Sequence, residues 1–263
     1  MIIIKIGGGK DINAEGIIKD LSKIEDKFII VHGANFIRDE MIIQLGKSKK
    51  IITSLSGYSS VFSDESAIDI LMMAYSGLKN KRLVELCQRN GINAIGLSGI
   101  DGRVIQGKRN SGIKYKENGK TMIARDFSGK PKEVNTELLK LLLSNGYTPV
   151  LCVPITDENG FAINSENDDI INVIQSAFKA DKIIQLIEAP GFLDDKDNPE
   201  TLIKNISKNE LTEIEEKSGG RMKRKMHALR KLFEQGAAEV CISDGRTDHP
   251  LFDALENKGT IIK

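Results

Sequence analysis

Ile2-Ile3-Ile4-Lys5-Ile6-Gly7-Gly8-Gly9 is the stretch from which the fold can be read. Four isoleucines interrupted once by lysine have the character of a strand buried on both faces, as in a parallel sheet. Three glycines then follow without a spacer. A glycine turn at a strand end lets backbone N–H groups approach an anion closely. Lys5, one residue before the strand ends, brings a cation to the same place. The spacing is neither that of a P-loop nor that of the dinucleotide-binding fingerprint. Taken alone, such a turn serves structure as often as binding.

The pattern recurs at Ile29-Ile30-Val31-His32-Gly33-Ala34-Asn35, a second apolar run entering a small-residue turn. Two parallel strands ending side by side in such turns form a cradle for phosphate. In open α/β sheets ligands bind at the carboxyl ends of the strands. His32 reads better as a structural residue than as a catalytic one. Further short β-branched runs fall at 94–97, 149–153, 182–186, 239–242 and 260–262, beside 2–6 and 28–31. Helical spacing occupies 63–76, 80–90, 135–143, 168–178 and 222–233. Strands alternating with helices of this length predict βαβ units and an α/β fold: a three-layer α/β/α sandwich around a central, mostly parallel sheet of about eight strands.

Residues 102–128 break the alternation. They are rich in Lys, Asn and Gly, and predict an antiparallel hairpin that protrudes from the sheet and turns at Glu117-Asn118-Gly119. Residues 194–199 read as an exposed loop. The 263 residues suffice for one large unit or two small lobes. A net charge of +1 gives no global field toward nucleic acid or membrane. Cys87, Cys152 and Cys241 are scattered in apolar contexts and read as buried, reduced thiols. The apolar run at the start is too short for a signal peptide, so a cytoplasmic protein is expected.

Two further segments carry chemistry. Asn164-Ser165-Glu166-Asn167-Asp168-Asp169 precedes an apolar helix that Asn164 or Asn167 could cap. Capping explains one of these six residues, and Asp168 beside lysine termini would fix ammonium groups in place. Gly219-Gly220-Arg221-Met222-Lys223-Arg224-Lys225 puts basic residues at a helix start, against the macrodipole. Such local conflicts mark functional positions. Two distant lysines, glycine turns and an organising aspartate suit phosphoryl transfer, which is catalysed by positioning and charge neutralisation.

With these residues in hand, the chain resembles the amino-acid kinase superfamily, within it the acetylglutamate kinase group, and there the LysZ-like kinases acting on aminoadipate or glutamate held on the carrier protein LysW. The marker is Asn80-Lys81-Arg82 together with Asn93-Ala94-Ile95-Gly96-Leu97-Ser98-Gly99-Ile100-Asp101-Gly102, supported by Ser128-Gly129-Lys130-Pro131-Lys132-Glu133-Val134. The resemblance implies that Lys5, Asp168 and Lys225 are catalytic. It implies that Gly7, Gly8, Gly9, Gly33, Ala34 and Asn35 hold phosphate. Asn164, Ser59 and Val61 fall at substrate positions, and Glu188, Gly191 and Met222 at nucleotide positions. ATP and Mg2+ are the implied cofactors. An acceptor lobe over 1–179, a nucleotide lobe over 180–263 and a homodimer are also implied. The acceptor would be a small or carrier-bound amino acid, with no nucleic acid or membrane partner.

Relatives carry arginines at the positions of Ser59 and Val61, the first gripping the substrate's α-carboxylate. This chain has neither. Its acceptor is then expected to lack that carboxylate, to be held by another cation, or to arrive on a carrier docked by Lys108, Lys114, Lys116, Lys130 and Lys132. A different acyl, carbamate or phosphonate acceptor, or a regulator without catalysis, are the competing expectations.

Overall fold

The Ile2–Ile6 strand lies inside the main sheet, between Phe28–His32 and Lys182–Ile187, both parallel to it. Thr148–Cys152 and Ala94–Ser98 extend the sheet on the first side. Val240–Asp244, Thr260–Ile262 and Asn205–Ile206 extend it on the second. The one antiparallel pairing among the described residues of this sheet joins Val240–Asp244 to Thr260–Ile262. The computed structural model describes the whole chain except residues 56, 58, 118, 196, 218–219 and 238 and the side chains of 59, 60, 220–222 and 224.

Three layers follow from the period-two geometry of a strand, which sends successive side chains to opposite faces. Ile3, Ile29 and Val31 enter one core, with Leu139, Ile170, Ile174 and Leu229 from helices. Ile2, Ile4 and Ile30 enter the other, with Ile17, Leu21, Leu83 and Leu251. Each fully buried side chain of this size contributes about 1.5–3 kcal/mol. The sandwich and its eight-stranded sheet are as the sequence predicts. The strand it does not announce is Asn205–Ile206, two residues being too few for a periodic signal.

The helices begin where their caps are. Asp64 accepts the Ala67 N–H at 2.9 Å, and Asn135 accepts the Leu138 N–H at 3.0 Å. The run expected at 63–76 is a helix over Glu65–Leu71 that passes into a π-helical turn, Met72–Lys79, and then into Asn80–Arg89. The helix expected at 168–178 spans Asn167–Phe178, and neither asparagine caps it. Glu166 occupies the cap position, the Asn164 amide donates to Ser63 Oγ at 3.2 Å, and the Asn167 amide donates to the His32 carbonyl at 3.1 Å. Both amides serve tertiary contacts instead.

The protruding hairpin pairs Ile113–Glu117 with Lys120–Ala124, and Glu117 faces Lys120 across the turn. Asn118 lies outside the described residues, and Gly119 has φ +76°, a left-handed value glycine adopts without strain. The sequence does not announce the four-stranded sheet of Ala162–Ile163, Ile155–Thr156, Ile105–Arg109 and Gly129–Val134. The short hairpin of Ile51–Thr53 with Ser59–Val61 is likewise unannounced. Cys87, Cys152 and Cys241 are free and buried as expected. Burial pushes their thiols up to about 12, 12 and 11. No helix among the described residues is long and apolar enough to cross a membrane.

Candidate active site

The two glycine turns touch through their backbones. Gly7 N–H donates to the Leu186 carbonyl and Gly33 N–H to that of Ile6, each at 2.9 Å. Phe36 N–H closes the contact on the Gly8 carbonyl, also at 2.9 Å. A Cβ on Gly8 would lie 2.6 Å from the Ala34 nitrogen, and one on Gly33 would lie 2.8 Å from the Gly8 nitrogen. No side chain fits at either position, so glycine is required by close approach. Ala34 has φ −149°, open to any residue, which explains why the second turn tolerates a methyl group there.

This contact leaves donors facing outward. Gly8 N–H, and Asn35 N–H at the start of the Asn35–Gln44 helix, have no acceptor among the described residues. Helix N-termini and turns of this kind are anion sites. The Asn35 side chain is oriented from its oxygen: Oδ1 accepts the Tyr75 hydroxyl at 2.7 Å, which leaves its NH2 as a donor beside the backbone N–H.

Lys5 projects from the first strand onto Asp168, at the head of the Asn167–Phe178 helix, and the two form an ion pair. Burial opposes the charge on Asp168, but the field and hydrogen bond of Lys5, with the field of Lys225, hold its carboxyl below the usual range. Lys225, on the Gly220–Glu234 helix, is pushed down to about 8, first by desolvation and then by the charge of Lys5, with Asp168 opposing. The three residues therefore form one electrostatic unit, with two cations sharing one anion. A poised, partly desolvated ammonium of this kind takes up a polyanion readily.

His32 is fully buried. Its Nε2 accepts from the Asn80 amide at 3.2 Å, since that nitrogen can only donate, which leaves Nδ1–H facing the Gly33 carbonyl at 3.3 Å. Burial pushes its pKa down to about 3, so it is neutral and carries no proton to the site. The structural reading from sequence holds for this residue.

Of the nucleotide-side expectations, Glu188 lies against the first glycine turn. Its carboxylate accepts the Asp11 N–H at 2.7 Å and overlaps the place of a Cβ on Gly9. Gly191 packs on Thr260, whose Oγ1 would be 2.7 Å from a Cβ there. Met222 has its backbone in the Gly220–Glu234 helix; its side chain lies outside the described ones. The sequence reading missed Asp244-Gly245-Arg246. Gly245 N–H donates to the Ile187 carbonyl at 2.7 Å, and Arg246 grips Asp244 with two bonds of 2.7 Å. The signal was present, since a glycine turn follows the 239–242 strand as it does the first two.

Of the acceptor-side expectations, Asn164 is tied to Ser63, whose own N–H reaches Asp126 Oδ2 at 3.1 Å. Val61 is half-buried on the short hairpin two residues away, and the Ser59 side chain lies outside the described ones. The structure therefore brings together Lys5, Asp168 and the two turns, with Lys225 coupled to them. Ser63, Val61 and Asn164 are a second group, joined to the first through the three residues between Asn164 and Asp168.

Residues 1–244 match the amino acid kinase family. A [LysW]-aminoadipate kinase of Thermus thermophilus is 36% identical over the full length of both chains. An acetylglutamate kinase of Methanopyrus kandleri is 32% identical, also over the full length of both. Among solved structures, smu.665 of Streptococcus mutans UA159 superposes with a TM-score of 0.75 at 20% identity, covering 100% of this chain and 98% of that one.

Proposed function

The chain belongs to the amino acid kinase family, and from that membership and its lysine–aspartate–lysine unit we propose that it transfers the γ-phosphoryl group of ATP to the side-chain carboxylate of an N-blocked glutamate or aminoadipate. The observation that carries this reading is the Lys5–Asp168 ion pair, to which Lys225 is electrostatically coupled, beside two touching glycine turns.

The step balances without a protein base. An acceptor carboxylate oxygen forms a bond to the γ-phosphorus as the bond from that phosphorus to the β,γ-bridging oxygen breaks, and ADP leaves. The acceptor is already ionised, so no proton needs removal, consistent with a neutral, buried His32. The N–H groups of Gly8 and Asn35 hold the transferred oxygens, Lys5 neutralises them, and Lys225 steadies the leaving side. Asp168 holds Lys5 on line. Such interactions strengthen as charge moves in the transition state.

The nucleotide lies on the 180–263 side and the acceptor on the 1–179 side. Mg2+ enters as part of MgATP. There the phosphates and water would supply its oxygen ligands, as is usual for Mg2+ at phosphoryl-transfer sites. The acceptor is delivered on an acidic carrier protein in lysine or arginine synthesis in the cytoplasm. Exposed Lys108, Lys114, Lys116, Lys130 and Lys132 are the docking charges. The free edge of Ala94–Ser98, next to exposed Met73 and Leu78, makes a homodimer the assembly to test by light scattering.

The decisive experiment is ADP release with a panel of acceptors, trapping any acyl phosphate with hydroxylamine. Hydroxamate from carrier-bound or N-acylated aminoadipate or glutamate supports the reading. Turnover confined to carbamate or phosphonate acceptors would favour the second reading, for which the missing arginines at Ser59 and Val61 speak.

A further inference from the structure

Arg109 is a half-buried arginine whose backbone N–H donates to Glu158 Oε2 at 2.9 Å, whose charge helps to hold that exposed carboxyl low, and whose guanidinium keeps its terminal nitrogens without a hydrogen bond among the described residues. Its strand, Ile105–Arg109, buries Ile105 and Gly107 on one face and exposes Lys108 on the other. Arg109 therefore shares the face of the two buried residues and is half-buried. Its guanidinium carbon lies 3.9 Å from the centroid of the Phe127 ring, a stacked cation–π contact. Its Nε donates to the Asp126 carbonyl at 2.8 Å. Its two terminal nitrogens have no hydrogen-bond or ion-pair partner among the described residues.

The obvious partner is near and is not used. Asp126 is 2% exposed, yet its carboxylate accepts the Ser63 N–H at 3.1 Å and the Ser128 hydroxyl at 2.6 Å, while Arg109 takes only its backbone carbonyl. The ring and the carbonyl thus orient a guanidinium fork and leave its outer edge open. Such a fork matches a carboxylate bidentately.

Its place is the acceptor side of the site. Phe127, under the guanidinium, donates its N–H to the Ser63 carbonyl at 2.7 Å and accepts the Asn164 N–H at 2.8 Å. Ser63 in turn takes the Asn164 amide, and Asn164 precedes Asp168 by four residues. Arg109 therefore belongs to the same hydrogen-bonded knot as the hairpin that lacks the two arginines.

We propose that Arg109 is the specificity-determining cation that grips the acceptor's second, non-reacting carboxylate, in place of the side chains absent at Ser59 and Val61. The proposal rests on the reading that the acceptor is an N-blocked dicarboxylic amino acid. Of the three alternatives the sequence leaves open, it takes the one in which another cation holds that carboxylate.

The test uses two probes, N-acetyl-L-2-aminoadipate and the same molecule with its α-carboxylate converted to an amide. Calorimetric titration is done on the unmodified protein carrying a non-hydrolysable ATP analogue. The free acid is expected to bind about ten- to a hundredfold more tightly than the amide, the usual worth of one charge-assisted contact. Arg109→Met keeps the apolar stem on Phe127 and should lose that preference while binding the ATP analogue unchanged. Arg109→Lys should recover part of it. Equal binding of acid and amide by the unmodified protein, binding of neither, or undiminished preference in Arg109→Met overturns the proposal. A purely structural Arg109 would change melting temperature without touching the acid-to-amide ratio. Hydroxamate formation by the unmodified protein separately reports on the kinase reading. Preference without acyl phosphate sinks that reading alone, and acyl phosphate without dependence on Arg109 sinks this proposal alone.

Discussion

Replacing Lys225 with Met separates what this side chain does for the reaction from what it does to the fold. Its ammonium titrates at about 8 where an ordinary lysine titrates at 10.5, because the site desolvates it and Lys5 repels it. At about 1.4 kcal/mol per pH unit, the gap corresponds to about 3 kcal/mol by which the folded state disfavours the charge. Partial solvation reduces this, so Lys225→Met should stabilise the ligand-free protein by about 1–3 kcal/mol at pH 7. The sign has a signature in pH. Below about 8 folded and unfolded chains both hold the proton, and the penalty on the unmodified protein is full. Between about 8 and 10.5 only the unfolded chain holds it, so the unmodified protein gains relative to the variant and the difference closes. Urea unfolding followed by circular dichroism at pH 7 and about 9.5 measures both parts. The same variant should lose about a hundredfold or more in kcat. Equal or lower stability of the variant at pH 7, or a difference that does not shrink with pH, would refute the account of Lys225 as an ammonium held against the fold's preference.

Lys5→Met should lower kcat about a hundredfold with a much smaller change in KM for ATP, and near-normal kcat would remove Lys5 from the chemistry. Gly8→Ala places a methyl group 2.6 Å from the Ala34 nitrogen, so the turns must part; ATP-analogue binding measured by calorimetry should fall at least tenfold. Asp20 is fully buried and accepts the Leu251 and Phe252 N–H groups at 3.2 and 3.4 Å, so Asp20→Ala should cost about 3 kcal/mol in urea unfolding while kcat holds. If an acidic carrier docks on the exposed lysines, its KM should rise steeply from about 0.05 to about 0.5 M salt while that of ATP moves little; parallel changes would end the docking idea.

The parts of the fold legible in advance were those with a strong period. Isoleucine runs such as 2–6 and 28–31 declare buried strands because both faces need apolar side chains. The π-helical turn at Met72–Lys79 was not legible, since its apolar spacing fits an ordinary helix equally well. The four-stranded sheet was missed because two of its strands have two residues each and Gly129–Val134 contains glycine, proline and alternate charges. At the site, residues beside a glycine turn announced themselves, as Lys5 and Gly33 do. Arg109 did not, because an arginine in a run of Lys, Arg and Asn looks like solvated surface until the Phe127 ring is seen beneath it. The asparagines of 164–169 were recognised as important but given the wrong partners, because sequence shows a helix start and not the loop from Ser63 that packs on it.

The central position of the first strand also bears on how the chain is made. Ile2 meets Phe28 on one side after 26 residues but meets Lys182 on the other only after 180. Closing the longer loop costs about 2 kcal/mol more entropy than the shorter one. During synthesis the strand waits on the order of ten seconds for its second neighbour. Throughout that interval its open edge is a ready template for pairing with another chain. Lys5 is the one charge in that strand, and a charge within an apolar run is the kind of residue that disfavours pairing with another chain while the edge is open.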